Sequence, residues 1–434
     1  GVDLRVARKA DGSIPLLDRF RPDPADEVEV DEPAPPEEGA PADFSLPLRI
    51  DDLLAAEIRL HVTDEAVSPT LDTTVHLGVI LSDLGSEDRT SAYSALLRIE
   101  DYLGALRVSG TLDQRDGGLR ARTDLAVTDL GVRALAAYLE PLGIEPQVEE
   151  LDLRLKAGLE LLPDPQVAER GIARIEVTGL RARSDGVTGA SLGRASVEIR
   201  GLGTDTTEIV GATVADAAAS LLIDERGDPV IVGIALRPPP PRVGSDSAPA
   251  DEPPTEPVPE PAVAQSPQVL RITSGSVTNV RLALRDETGA EPVEAEIVVE
   301  SLKAANLTSE PGQPEGTLAA RISSPGIVEA IELNGTASPF AQPLSADLTL
   351  SIRDATPGPT RAWLDRILIA LPFEHGSLRT RLAAAVDLRK PGVLGANVGL
   401  TDLEFQADGD RYQVADRITV SGALTYVDHG IDLD

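Results

Sequence analysis

Four histidines are the side chains best suited to acid–base or metal chemistry in this 434-residue chain: His61, His76, His375 and His429. His61 and His76 lie in runs that alternate apolar and polar residues, and His375 lies beside a glycine at a turn. No two histidines have the spacing of a zinc-binding helix, and there is no cysteine to complete a metal site. The histidines therefore predict neither a metal site nor a catalytic base.

Two acidic clusters, DERGD at 224–228 and DGD at 408–410, place carboxylates close together. Their spacing does not match an EF-hand loop, and aspartate followed by glycine is typical of hairpin turns. The glycines of GLGTDTTEIVGA lie among strand-like residues and do not open a helix, which argues against a phosphate site. We expect no catalytic residue, no metal and no cofactor, and hence not an enzyme.

Net charge and amino-acid composition limit which non-enzymatic functions remain. The formal net charge is −33, from 72 acidic and 39 basic residues, and such a surface repels nucleic acid. Aromatic residues make up only 3% of the chain, and Met and Cys are absent. Any apolar surface must therefore be built from Leu, Val, Ile and Ala. No apolar run is long enough to span a bilayer as a helix.

The prevailing hydrophobic period is two. The segment LDLRLKAGLEL at 151–161 alternates Leu with charged or small residues, and similar runs occur throughout the chain. Strict alternation of this length is typical of antiparallel strands with one apolar face. Asp-Gly pairs at 116–117, 185–186 and 408–409 indicate hairpin turns between the strands. Two short helices are predicted, one at 128–143 with Asp129 as its N-cap and one around Trp363. Because strand patterns prevail elsewhere, the fold class is mainly β.

Matching segments predict an internal repeat. RLHVTD ends at Asp64 and RLALRD at Asp286, while the predicted helices carry Tyr138 and Trp363 at a similar offset. The repeat divides the chain into the tail of a preceding unit (1–20), a full unit (44–237) and a truncated unit (268–434). Between them lie two segments rich in proline and acid, at 21–43 and 238–267, which are expected to be loops or linkers. Because the chain begins and ends within strand-like patterns, we expect it to be a piece of a longer protein.

The apolar face of such a sheet has to be covered, either by other parts of the protein or by a ligand. The sequence is compatible with both arrangements. The sheet can close into a sandwich or barrel with a dry aliphatic core. Alternatively, it can remain an open groove that binds a ligand of similar character.

Several passages together resemble the AsmA-like superfamily of bacterial envelope proteins, the AsmA/TamB type. They are GVDLRVARKADGSIPLL, AEIRLHVTDEAVSP with its counterpart VRLALRDETGAEP, and ARIEVTGLRARSDG. The resemblance implies repeated antiparallel sheets curled into a β-taco groove, with one short helix in each repeat. It also implies bridge-like lipid transfer across the periplasm, in support of phospholipid transport and outer-membrane assembly. The long acidic proline segments depart from the family pattern.

The expected partners are phospholipid acyl chains and the inner membrane, the latter reached through an anchor outside this chain; nucleic acid is not expected. The alternative is a structural or adhesive β-repeat protein with a closed aliphatic core and no ligand. The candidate groove residues are Leu151, Leu153, Leu155, Leu159, Leu348, Leu350, Leu378, Leu382 and Val386.

Overall fold

The computed structural model describes residues 2–15, 43–237 and 269–433, with short internal gaps. The gaps are 45, 47, 69, 87, 168–169, 203–205, 290–291, 311–312, 341–343, 357, 362, 364–373, 391–392, 409 and 428–429. For residues 384–398 and 411–433 the backbone alone is described. Nearly all of the proline-rich segments at 21–43 and 238–267 lies outside the described residues, so their role as loops or linkers stays a prediction.

Strands make up most of the described chain. The first eleven are β1 Val2–Arg8, β2 Ile50–Asp64, β3 Leu71–Leu84, β4 Ser91–Ile99, β5 Leu103–Arg115, β6 Gly118–Gly131, β7 Ile144–Pro146, β8 Glu150–Pro163, β9 Gly171–Ser184, β10 Val187–Leu202 and β11 Thr206–Ile223. The others are β12 Pro229–Ile231, β13 Ile234–Leu236, β14 Val269–Asp286, β15 Val293–Thr308, β16 Gly316–Ser324, β17 Val328–Ser338, β18 Leu344–Ala355, β19 Gly376–Lys390, β20 Val393–Ala407, β21 Asp410–Val427 and β22 Gly430–Leu433. The helical elements are α1, Ala136–Leu139, and the 3-10 turns Glu140–Leu142 and Gly358–Thr360.

These strands form one large open sheet. Most neighbours are consecutive in the chain and antiparallel, as the period of two predicts. The sheet does not close on itself, and the fold class is confirmed as mainly β. Three short strands extend the sheet at the end of β11. β12 pairs with β11, β13 pairs with β12, and β7 pairs with β13.

Two pairs of strands are parallel, which the sequence did not predict. β1 runs beside the second half of β2, from Val2 opposite Ile58 to Arg8 opposite Asp64. β11 runs beside the whole of β14, from Thr206 opposite Val269 to Ile223 opposite Asp286. A parallel pair requires a connection that returns the chain to the starting end of the strand. Each of these two connections contains one of the proline-rich segments.

Bulges bend several of the long strands. Among the described non-glycine residues with left-handed φ, all except Val232 are Asp or Asn, the side chains that tolerate this conformation best. In β6 the register shifts between Val127 and Leu130, where Asp129 has a φ of 52°. Because a bulge bends its strand and increases the local twist, the bulge at Asp129 curves the sheet.

The first predicted helix is shorter than expected. Asp129 is not its N-cap, because β6 continues to Gly131 and the Asp129 N–H donates to the Asp152 carboxylate at 2.9 Å. The helix comprises Ala136–Leu139, and the 3-10 turn after it ends at Gly143, which adopts a φ of 76°. The second predicted helix, around Trp363, lies largely outside the described residues.

Candidate functional site

One face of the sheet is apolar across fifteen strands, and we call it the apolar face. Residues directly opposite one another in neighbouring strands share a face, so the register defines a continuous row. At about 4.8 Å per strand the row is roughly 67 Å long. No member is charged. The row runs through Leu53, Leu81, Tyr93, Gly110, Thr123, Ala157, Val177, Ala195, Val214, Val277, Leu302, Ala320, Leu333, Leu350 and Thr380.

The candidate groove residues lie on this face. Leu151, Leu153, Leu155 and Leu159 alternate along β8, and Leu159 belongs to a second row, parallel to the first. That row continues without interruption through Ile175, Val197, Ala212, Gly275, Ala304, Leu318, Gly335, Leu348 and Leu382.

The other candidates from the second half of the chain follow the same alternation. Leu350 lies two residues beyond Leu348 on β18, and Leu378 lies opposite Ile352 of that strand. The backbone of Val386 lies opposite Leu344, but its side chain is outside the described residues. Register therefore brings the described candidates from both halves of the chain onto one surface.

Side chains of the apolar face are half-buried. Of the eight candidate leucines only Leu348 is buried, with 8% of its surface exposed, and the other seven are intermediate. Most buried apolar residues of the described chain lie near one end of the strands, among them Leu103, Val132, Val230 and Ala235, whereas Ile172, Ala173 and Leu307 lie near the other end. The apolar face is thus accessible along most of its length.

The opposite face carries most of the charged residues, and we call it the charged face. Here Arg174 of β9 bridges Glu160 of β8 and Glu198 of β10, at 3.4 and 2.9 Å. Hydrogen bonding from Arg174 lowers the pKa of the Glu198 carboxyl despite partial burial. In the second half of the chain, Glu332 of β17 pairs with Arg321 and Arg353. Cross-strand pairs of this kind keep the charges on the side of the sheet away from the apolar face.

A cavity of about 370 Å³ lies on the apolar face where β11 meets β14. Its walls come from both sides of this parallel pair, including Val177 and Val197 on one side and Val277 and Leu302 on the other. Gly275 and Ala304 line the bottom of this cavity, which is deep there because glycine has no side chain and alanine has only a methyl group. The apolar surface therefore continues across the parallel pair.

One end of the strands is covered by α1 together with β7, β12 and β13, and we call it the capped end. The backbone N–H of Arg237 donates to the Gly143 carbonyl at 2.7 Å, and that of Gln147 donates to the Gly233 carbonyl at 2.8 Å. These bonds tie the segment after α1 to β12 and β13.

A buried carboxylate, Asp64, holds α1 in place. It ends β2 on the apolar face, with 6% of its surface exposed. Its Oδ2 accepts a hydrogen bond from the Tyr138 hydroxyl at 2.8 Å and lies 3.4 Å from the Arg8 guanidinium. Its Oδ1 accepts the Ala66 N–H at 2.9 Å. Burial alone would raise the pKa of Asp64, but these donors outweigh it and lower the pKa.

The same contact recurs in the second half of the chain. Asp286 ends β14, is buried, and accepts the Trp363 indole N–H at 2.6 Å. Its other oxygen accepts the Thr288 N–H at 2.9 Å, as Asp64 accepts that of Ala66. Sequence reasoning matched these aspartates and aromatic residues as repeats but did not predict that they touch.

The Tyr138–Asp64 contact makes the capped end sensitive to pH at both extremes. Burial, and after it the hydrogen bond to Asp64, raises the pKa of Tyr138 from 10.0 to about 12. The contribution of the Tyr138 hydroxyl to folding stability is therefore complete below pH 10 and is lost as pH rises through 12. Because the pKa of Asp64 in the folded protein is lower than the ordinary value of 3.8, the contribution of its carboxylate to folding stability is present above pH 3.8. That contribution is lost as pH falls through the pKa of the folded protein. A spectrophotometric titration should show one tyrosine with a midpoint near 12 that is missing from Tyr138→Phe. A midpoint near 10 for every tyrosine would contradict the contact.

The three described histidines do not form a reactive cluster, and His429 lies outside the described residues. His76 lies 3.3 Å from Glu100, and His375 lies 2.9 Å from Asp354, both on exposed surface. Within the described residues, no group of three or more His, Cys, Asp or Glu side chains is arranged to hold a metal ion.

No family model, curated protein or solved structure matches the chain. In the part of the chain that the structure describes, no helix has the length and hydropathy needed to cross a bilayer.

Proposed function

We propose that this chain is a non-enzymatic lipid-binding segment whose apolar face holds phospholipid acyl chains. The observation that carries the proposal is the uncharged row that crosses fifteen strands, from Leu53 to Thr380, while most charged side chains lie on the opposite face. Acyl chains lie along the row, and polar headgroups remain at its margins in water.

The energetics favour a ligand on this face. Contiguous exposed apolar surface of this extent is rare on proteins that bind nothing. Each Å² removed from water stabilises the bound state by roughly 25 cal/mol, so covering a few hundred Å² by acyl chains contributes several kcal/mol. The surface is aliphatic, half-buried and free of charge, which matches a saturated or monounsaturated hydrocarbon chain.

The open sheet argues against the alternative of a structural or adhesive protein with a closed core. A closed sandwich would bury leucines such as Leu155, Leu159 and Leu382 almost completely. These three side chains are only half-buried, and the described sheet is open.

We further propose that the sheet consists of two copies of one unit, each curled into a β-taco groove and closed at one end by a short helix. Corresponding contacts at a nearly constant offset support this proposal. Asp185 accepts the N–H groups of Glu149 and Glu150, and Asp408 accepts those of Glu374 and His375. Other matched pairs are Asp64 with Asp286, Tyr138 with Trp363, Gly110 with Gly335, and Leu103 with Val328.

The sequence resemblance to the AsmA-like superfamily extends the proposal to a cellular role. The chain then belongs to a periplasmic, bridge-like carrier that is anchored in the inner membrane through a segment outside this chain. In that role it supports phospholipid transport and outer-membrane assembly. The parallel strand pairs and the apolar face that continues across them are consistent with such an array.

Native mass spectrometry and lipid extraction of the purified chain test the ligand directly. We expect co-purifying phospholipid, together with saturable uptake of a labelled fatty acid by delipidated protein. Protein that carries no lipid and takes up no labelled fatty acid would refute the proposal.

A further inference from the structure

Two side chains in the row across the apolar face carry accessible hydroxyl groups. Tyr93 of β4 and Thr123 of β6 lie on either side of Gly110, and both are half-buried. The third hydroxyl group of the row belongs to Thr380, which is 2% exposed and donates to the Thr401 carbonyl at 3.0 Å. Tyr93 and Thr123 are therefore the members of the row that can form a hydrogen bond with a bound molecule.

Gly110 allows these two hydroxyl groups to meet. The Tyr93 ring lies over this glycine, where a Cβ atom would come within 2.5 Å of the Tyr93 hydroxyl oxygen. The Tyr93 hydroxyl contacts the Thr123 Oγ1 and lies 3.3 Å from the Arg122 carbonyl oxygen. A tyrosine hydroxyl has one hydrogen to donate. When Tyr93 donates it to Thr123, the Thr123 O–H is available to donate to a ligand.

The second half of the chain has leucines at the corresponding positions. There Gly335 of β17 lies between Leu318 of β16 and Leu348 of β18. Leucine fits at both positions of the same strand arrangement, so the fold itself does not require hydroxyl groups there. A purely hydrocarbon ligand would remove both hydroxyl groups of Tyr93 and Thr123 from water without replacing the hydrogen bonds to water. The pair therefore points to a part of the ligand that carries oxygen.

The pair lies close to the margin of the apolar face. Tyr93 is the third residue of β4, which begins at Ser91 on the side away from the capped end. From Thr123 the row continues without a polar member to the cavity where β11 meets β14. Five strand spacings of about 4.8 Å, or roughly 24 Å along the sheet, separate Thr123 from Val277 of that cavity. Hydrocarbon can extend from the pair toward the cavity, while a group attached on the other side of the pair reaches water.

We propose that Tyr93 and Thr123 bind an ester carbonyl of a phospholipid, whose acyl chain extends along the apolar face toward the cavity between β11 and β14. This inference rests on the proposed function, because it orients a lipid that is held on that face. The ester carbonyl is the polar group attached directly to an acyl chain, and its oxygen accepts hydrogen bonds. The Thr123 hydroxyl donates to that oxygen. Tyr93 is a positioning residue, which donates to Thr123 and fixes the direction of the Thr123 O–H.

A pair of matched lipids tests the hydrogen bond. The delipidated full chain is titrated by calorimetry with oleoyl lysophosphatidylcholine and with its alkyl ether analogue, which has no carbonyl oxygen. The parent should bind the ester lipid about fivefold more tightly, as one neutral hydrogen bond provides. Thr123→Val keeps the shape of the side chain without its hydroxyl and should bind the two lipids equally. Thr123→Ser keeps the hydroxyl and should retain the preference for the ester.

Thr111 provides the matched control. It follows Gly110 in β5, is exposed, and lies on the charged face opposite Arg122. Thr111→Val should therefore bind the ester lipid with the same fivefold preference as the parent. Thermal unfolding verifies that the variants fold.

Infrared spectroscopy distinguishes a bond to the ligand from a purely structural bond between strands. The ester carbonyl of the lipid is labelled with carbon-13, and its stretching band is recorded in the bound state. The band should lie at lower frequency in the parent than in Thr123→Val, because a hydrogen bond weakens the C=O bond. Tyr93→Phe should give an intermediate frequency, since Thr123 keeps its donor but loses the group that positions it. One frequency in all variants would overturn the proposal.

A nitroxide label on the acyl chain tests the orientation. Near the methyl end of the chain, the label should broaden the amide NMR signals of Val214 and Val277 most. Next to the ester, it should broaden those of Gly110 and Thr123 most. The reverse pattern for the two labels would overturn the proposed orientation.

The titration separates this proposal from the function on which it rests. If the parent binds neither lipid, acyl-chain binding on the apolar face is itself wrong. If the parent binds the ester and the ether lipid equally, the face binds lipid but the ester does not meet Tyr93 and Thr123, and only the present proposal is overturned.

Discussion

Val177→Glu should lower uptake of a labelled fatty acid by at least about tenfold, whereas Thr178→Glu at the next position should leave it unchanged. Val177 lies on the apolar face and lines the cavity where β11 meets β14. A carboxylate there loses hydration when an acyl chain covers it, and burying an unpaired polar group costs several kcal/mol. That cost is comparable with the gain from covering the surrounding aliphatic surface.

Thr178 provides a matched control on the same strand. It lies on the charged face, opposite Lys156 on one side and Arg194 on the other, so a glutamate there has basic neighbours. Val177→Leu controls for a change of shape that keeps the surface apolar, and it should bind normally. Circular dichroism and thermal unfolding verify that all three variants fold. Normal uptake by a folded Val177→Glu would show that the ligand does not lie on the apolar face at this point.

The period of two was sufficient to predict the apolar face. Leu159, Leu348 and Leu382 were predicted as groove residues from three separate strands, and the register places them in one row. Alternation fixes which side of a strand is apolar, and antiparallel hairpins then align neighbouring strands. These local rules determine the apolar side within each antiparallel series of strands, β2 to β11 and β14 to β19.

Other features could not be read from local pattern. The parallel pairing of β11 with β14 joins strands that are separated by a long connection, and no hairpin turn records it. The first helix was predicted too long because the apolar spacing of a helix begins before Asp129. In the structure the chain is still part of β6 at this residue, where it forms a bulge. Whether the sheet is open depends on contacts between distant strands, which alternation does not encode.

Asp64 illustrates a signal that the sequence contained but that local pattern could not interpret. An aspartate at the end of an apolar strand resembles an ordinary solvent-exposed strand terminus. Its repetition as Asp286, together with the aromatic pair Tyr138 and Trp363, indicated an internal repeat but not the role of the carboxylate. Only the three-dimensional contact identifies that role as attachment of the capped end.

Asp64→Ala should destabilise the capped end by about 2 kcal/mol, because it leaves the half-buried Tyr138 hydroxyl and the more exposed Ala66 N–H without the acceptor that Asp64 provides. Tyr138→Phe removes only one donor and should cost about 1 kcal/mol. The exposed Asp51 is the matched control, and Asp51→Ala should stay within about 0.5 kcal/mol of the parent. The expected order follows from how many buried hydrogen bonds each change leaves incomplete.

Amide hydrogen exchange measures the loss of stability caused by Asp64→Ala and shows which strands and helices are affected. In Asp64→Ala, amides of Ala136–Leu139 and Ile234–Leu236 should exchange faster by a factor that matches the loss of stability, while amides in the middle of β8 should change little. The double variant Asp64→Ala/Tyr138→Phe should be less destabilised than the sum of the single variants, since the two residues share one bond. Additive effects, or an Asp64→Ala variant as stable as Asp51→Ala, would mean that the carboxylate does not hold α1. Because α1 closes the apolar face at this end, loss of the contact should expose that end of the face to solvent.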